Sequence, residues 1–188
     1  MRCIRTAASR SSAAYVSVMD ARARTPSAAA GRHERAHVIC LSLADTHVLR
    51  ESKHRLRRLI LAQSAGNRAR APDVAAGLGA TGWLQHVRQL LAAAQRAAVS
   101  LAAGTSVLAV CGTGCDQSAQ LAALAQLLAD GHYRTLRGFA LLVEKEWVAF
   151  GHRFALRHGL GRLEDSACAP LFLQFLDCVH QVRAQHPA

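Results

Sequence analysis

The stretch "VLAVCGTGCDQSAQL", Val107 to Leu121, constrains this chain more than any other. The apolar run ahead of Cys111 predicts a buried strand, and Gly112 and Gly114 predict a tight turn. "SAQLAALAQLLAD" then predicts a helix that stops at Asp130 and Gly131. That order places a cysteine at the mouth of an anion cradle. Successive backbone N–H groups in the turn converge on one point, and the helix aims its positive end at the same place. The field that attracts an anion also favours thiolate over thiol. A thiolate can take phosphate to form a phospho-cysteine, which water then hydrolyses. Such a loop ordinarily ends on an arginine whose planar fork grips two phosphate oxygens. Six positions after Cys111 this chain has Gln117, a neutral amide. Taken alone, a cysteine at a strand end better suits an inert, packed thiol.

The rest of the chain supplies elements around that loop. "HVICLSL", 37–43, reads as a strand, and "THVLRESKHRLRRLILA" has helical spacing at Val48, Leu56, Leu59 and Ile60, with Thr46 suited to cap it. Residues 64–80 hold glycines and a proline and read as a loop. "GWLQHVRQLLAAAQRAAVSLAAG" sets Leu84, Val87, Leu90, Leu91, Ala94 and Ala98 on one helical face, with Gly104 suited to end it. "TLRGFALLVEKEWVAF" aligns Phe139, Leu142, Val143, Trp147 and Phe150. "PLFLQFLDCVHQVRAQHP" makes a last helix, opened by Pro170 and closed by Pro187. Strands separated by helices predict an α/β domain with a short parallel sheet, rich in helix. With only two strands identifiable, the domain reads as cut short.

Several of these blocks, "SVLAVCGTGCDQSAQLAALAQLLADGHYRTLRGF", "LLVEKEWVAFGHRF" and "FLQFLDCVHQV", together with "THVLRES" and "GWLQHVRQLLAAA", resemble the myotubularin family of phosphoinositide 3-phosphatases. The resemblance runs from about His37 to Pro187 and covers the C-terminal half of a myotubularin phosphatase domain. It implies a partial cysteine-phosphatase-like fold over 37–188. The family's loop reads His-Cys-Ser-Asp-Gly-Trp-Asp-Arg-Thr; here the same stretch is Val110, Cys111, Gly112, Thr113, Gly114, Cys115, Asp116, Gln117 and Ser118. By resemblance Cys111 matches the nucleophile and Asp116 the proposed general acid, Gly114 keeps the loop glycine, and Ser118 replaces a threonine. Thr113, Cys115 and Gln117 replace the family's Asp, Trp and Arg. The ending "FLQFLDCVHQV", with His180 where active members usually carry Trp, is similar to the SET-binding-factor branch of pseudophosphatases, and the loss at Gln117 is in keeping with inactive members of the family. A catalytically inactive phosphatase domain is the expectation. An active phosphatase using Cys111 and a non-functional truncated fragment are the alternatives.

"GHRFALR" resembles the family stretch whose two arginines contact the inositide headgroup. Those positions are Arg153 and Arg157, and their spacing predicts one shared helical face. Alone, the pair better suits a solvated basic face. The partners implied are a phosphoinositide headgroup, an active myotubularin and a peripheral membrane contact. The expected setting is cytoplasmic, peripheral on endosomal membranes. Arg134 and Arg137 read as structural or surface residues.

Residues 1–36 are rich in Arg, Ser and Ala and read as a disordered extension outside the fold; the composition equally suits an organelle transit peptide. Residues 1–70 carry 14 of the 23 Lys and Arg against 4 acids, whereas the remainder is nearly balanced. Excess positive charge there suits an anionic surface, but with Tyr15 its lone aromatic the segment lacks base-stacking side chains, so no nucleic acid is expected. No apolar run approaches the roughly 18 residues that span a bilayer. The six cysteines form no CxxC pair and the ten histidines no zinc spacing, so free thiols are expected and neither metal nor cofactor. Three further readings are bland ones. Cys111 and Cys115 make a poor disulfide pair across a tight loop. Glu144 and Glu146 point apart on a solvated helix, and His152 makes a polar contact rather than shuttling protons.

Overall fold

The computed structural model of the chain describes residues 2–4, 16–20, 36–64, 74–112, 114–160 and 167–186. By number these fall into two compact units, 1–43 with 90–153 and 44–89 with 154–188.

The first unit is built on a four-stranded sheet of order β1-β4-β2-β3. Its strands are β1 (Arg2–Ile4), β2 (Val16–Asp20), β3 (Ala36–Cys40) and β4 (Ser106–Val110). β2 runs parallel to both β3 and β4, pairing Met19 with Ile39 on one side and Ala109 on the other. β1 pairs antiparallel with β4, Cys3 opposite Leu108. Two expectations are corrected here. The sheet is mixed rather than parallel, because a short antiparallel strand covers what would otherwise be the free edge of β4. In addition, the segment 1–36 is not wholly outside the fold, since β1 and the interior strand β2 come from it. A strand of three and one of five residues give too little alternation to stand out from Arg- and Ser-rich surroundings. The other residues of 1–35 lie outside the described residues, so the transit-peptide reading is not addressed there.

Against the sheet lies the centre of this unit, α4 (Gln117–Ala129), buried at every position from Gln117 to Leu127. A helix buried all round needs small residues on the faces where backbones approach, and Ala119, Ala122, Ala123 and Ala125 are fully buried beside Leu121 and Leu124. Met19, Val107 and Ala109 are likewise fully buried. A single 3₁₀ turn, Gly131–Arg134, leads to α5 (Leu136–Val143), capped by the Thr135 hydroxyl, which accepts from Gly138 N–H at 3.0 Å. α5 passes directly into a π-helical turn, Glu144–Val148. Trp147 and Leu142 are fully buried as their spacing predicts, whereas Phe150 is exposed, because the wide turn shifts the register after Val143.

The second unit contains α1 (Thr46–Ser64), α2 (Val74–Thr81), α6 (Phe154–His158) and α7 (Leu171–Gln185). α3 (Trp83–Ala102) gives it its first residues and gives the first unit the rest. The buried stripe of α3 is Trp83, Val87, Leu90, Ala94, Ala97 and Leu101; Leu84 is exposed. Gly104 ends the helix in the left-handed region, φ 78°. Part of the loop expected over 64–80 is α2. Gly77 misleads in the sequence because it serves packing rather than a turn: a Cβ there would stand 2.8 Å from Leu59 Cδ1. Within this unit the Trp83 indole N–H donates to Asp177 Oδ2 at 2.6 Å, and Leu49, Ala169 and Leu171 form a small core. Pro170 immediately precedes α7, and Pro187 lies outside the described residues. Among the described residues no helix is long and apolar enough to cross a membrane.

Candidate functional site

β4 delivers Cys111 to the end of the sheet, where it is 8% exposed. Gly112 forms an exposed bend, and Gly114 adopts φ 73°, a left-handed turn that a side chain resists. Thr113 lies outside the described residues. Cys115 is half-buried, and both it and Cys111 are free thiols. Asp116 is the residue before α4, and its carbonyl accepts from Ala119 N–H at 2.9 Å, which turns the chain into the helix.

Ser118, in the first turn of α4, is fully buried and faces back to the cysteine. Its hydroxyl donates to Cys111 Sγ at 2.7 Å and its N–H at 3.4 Å. Burial pushes the Cys111 thiol up, but the Ser118 hydroxyl and the backbone N–H groups of Ser118, Asp116 and Gly114 outweigh it, so its pKa lies below the ordinary thiol value. Loop and helix end thus form a ring of donors around one sulfur. A thiolate there can act as a nucleophile, and a tetrahedral anion can occupy the same field.

Gln117 is the first residue of α4 and only 4% exposed. Asp116 is 5% exposed, with Oδ1 lying 3.5 Å from His152 Nδ1. The same nitrogen lies 2.8 Å from the Cys115 carbonyl oxygen. His152 therefore makes the polar contact expected of it, at a place the sequence did not specify: the cysteine loop itself. Glu144 and Glu146 do point apart, yet only Glu144 is solvated. Glu146 is buried and accepts from Gln126 Nε2 at 2.9 Å, while Lys145 bonds Gln126 Oε1 and donates to the Tyr133 hydroxyl at 3.0 Å. The sequence clue was Gln126, a polar residue inside an Ala- and Leu-rich helix, which needs a buried partner.

The two headgroup candidates do not share a helical face, because α6 begins at Phe154 and Arg153 precedes it. Arg153 is exposed. Arg157 is half-buried and donates from Nη1 to the Ala167 carbonyl at 2.8 Å. Arg134 and Arg137 are exposed. Among the described residues no group of three His, Cys, Asp or Glu side chains is placed to hold a metal ion.

A strand ending on a cysteine, a turn whose N–H groups face the sulfur and a buried helix that starts beside it together make an anion cradle. Residues 3–188 match the myotubularin-like phosphatase domain, and the chain belongs to that family. It is 41% identical to myotubularin of Rattus norvegicus over 150 residues, which is 78% of this chain and 24% of the relative. Against phosphatidylinositol-3,5-bisphosphate 3-phosphatase MTMR2 of Bos taurus it is 42% identical over 167 residues, 82% of this chain and 24% of the relative. Myotubularin of Xenopus laevis is 38% identical over 160 residues, 81% and 25%. The chain thus spans about a quarter of the length of the curated relatives it matches.

Proposed function

We propose that the chain is a myotubularin-type pseudophosphatase region whose cysteine loop binds a 3-phosphorylated inositide headgroup without turning it over. The observation that carries the reading is Gln117. It stands buried at the helix start where the resemblance calls for an arginine, and its amide supplies no charge to phosphate oxygens. Replacing a bidentate, charge-assisted contact by a neutral one removes several kcal/mol from a charged transition state, on the order of a thousandfold in rate. The loop's N–H groups still attract an anion, and they need no arginine to do so. The inositide class is supported by MTMR2, whose name specifies phosphatidylinositol 3,5-bisphosphate. Exposed Arg153 is the candidate headgroup contact, and Arg157 belongs to the proposal by resemblance alone. An active myotubularin as partner, a SET-binding-factor kinship and a peripheral position on endosomal membranes belong to the same proposal. In that kinship His180, exposed on α7, stands in the position of a tryptophan.

One observation favours a second reading, an active phosphatase: the thiol of Cys111 is activated, and Ser118 stands ready to stabilise it as a leaving group. The test is phosphate release from phosphatidylinositol 3-phosphate and 3,5-bisphosphate, with binding to vesicles carrying each lipid. Binding with no release above the Cys111→Ser variant supports the pseudophosphatase; release that depends on Cys111 overturns it.

A further inference from the structure

The strongest relationship outside the loop joins it to the segment after α5. His152 is a buried ring wedged between that segment and the loop, with its side chain fully enclosed. Its backbone N–H donates to the Trp147 carbonyl at 2.9 Å, one residue wider than an α-helical bond, and Ala149 N–H closes the same wide ring onto the Glu144 carbonyl at 2.8 Å. The Trp147 ring meets the imidazole edge-on at 4.8 Å. Glu146, in the same π turn, is tied to Gln126 of α4. Such wide turns cost regular hydrogen bonding and recur where a helix must redirect a functional side chain.

The redirected group is Nδ1. A carbonyl and a carboxylate oxygen only accept, so Nδ1, 2.8 Å from Cys115 O and 3.5 Å from Asp116 Oδ1, carries the ring's proton. The bonded carbonyl belongs to the Cys115–Asp116 peptide. In a trans peptide the C=O and N–H point in opposite directions. Holding Cys115 O on the His152 side therefore turns the Asp116 N–H to the other side, where it serves as one of the donors to Cys111.

We propose that His152 is a positioning residue for the anion cradle: through the Cys115 carbonyl it fixes the 115–116 peptide so that the Asp116 N–H faces the Cys111 sulfur. Its action on the sulfur is indirect, through the Cys115 carbonyl. The role holds whether the loop binds phosphate or also turns it over, so it stands apart from the functional reading above. The Asp116 carboxylate beside the imidazole is a second acceptor for the same Nδ1–H.

The experiment is the pH profile of Cys111 alkylation in the full chain, followed by peptide mass spectrometry, with no lipid present. His152→Leu keeps volume and loses the donor; its midpoint should rise by about half to one pH unit, the size expected when one donor to a thiolate is misdirected. His152→Asn can place an amide N–H near the Nδ1 position and should return the midpoint toward the parent. An unchanged profile in folded His152→Leu overturns the proposal. So does an equal shift in both variants, which would assign His152 to packing against Trp147. If neither variant folds, nitrogen NMR of the parent's His152 decides: an Nδ1–H tautomer supports the donor role, and an Nε2–H neutral ring, unable to donate to Cys115, overturns it.

Discussion

The Ser118 hydroxyl donates to Cys111 Sγ across 2.7 Å, from the first turn of a helix that is buried on every side. The sulfur therefore meets an oriented dipole that water cannot replace. Removing it in Ser118→Ala should raise the Cys111 pKa by about one to two units, the equivalent of a charge-assisted hydrogen bond worth about 1.5–3 kcal/mol. Alkylation of Cys111 near neutral pH should slow accordingly, with the midpoint of its pH profile displaced upward. The same coupling appears in stability. Because the folded pKa is depressed, the thiolate's contribution is complete above the ordinary thiol value of 9.0 and is lost as pH falls through the lowered value. Ser118→Ala should flatten that part of the pH–stability curve.

Cys178 behaves in the opposite sense. It is fully buried on α7, and burial, with the neighbouring Asp177 charge, pushes its thiol up to about 12. A raised pKa leaves the thiol neutral in the fold while the unfolded chain ionises. Stability from this group is therefore complete below 9.0 and falls as pH rises toward about 12. Urea titrations of the parent and Cys178→Ala should show a steeper alkaline loss in the parent. In the folded protein a thiol reagent at pH 8 should modify Cys111 well before Cys178.

How much of this was written in the sequence depends on the range of the interaction. The strand–loop–helix around Cys111 was legible because one short segment holds the apolar run, the turn glycines and the helix, and all three sit in the structure where their chemistry puts them. The helices α1, α3 and α7 followed from long periodic stretches. β1 and β2 did not, since strands of three and five residues pair with β4, which is far away in sequence from both. The buried Glu146 and the loop contact of His152 were hidden for a related reason. Both follow from the π turn at Glu144–Val148, which changes the side-chain register in a way that helical spacing does not anticipate.

Gly138 should be intolerant of any side chain. It sits in the first turn of α5, where its N–H is held by Thr135, and a Cβ would stand 1.9 Å from the His132 carbonyl oxygen. That neighbour is backbone within the preceding 3₁₀ turn, so relief requires moving the turn or unwinding the cap. Gly138→Ala should destabilise the fold by about 1–3 kcal/mol despite alanine's better helix propensity. A chemical-denaturation midpoint equal to or above the parent's would contradict the packing described here.

Gln117→Arg tests the cradle from the side of charge. In the parent the first residue of α4 is 4% exposed and neutral, so the ligand-free fold buries no cation at that position. An arginine there must either bury an ill-compensated charge or push outward through a packed helix start. Without ligand the variant should therefore melt below the parent, by about 1–3 kcal/mol of stability. Tungstate or phosphate supplies the missing negative charge, and a ligand that binds the folded state alone stabilises it in proportion to the logarithm of its saturation. The variant should consequently gain more in melting temperature on titration with tungstate than the parent does. Equal gains in the two proteins would mean that the side chain at 117 does not reach the anion. If the pseudophosphatase proposal holds, turnover should stay low in the variant as well, because Thr113 and Cys115 also depart from the loop that the resemblance implies.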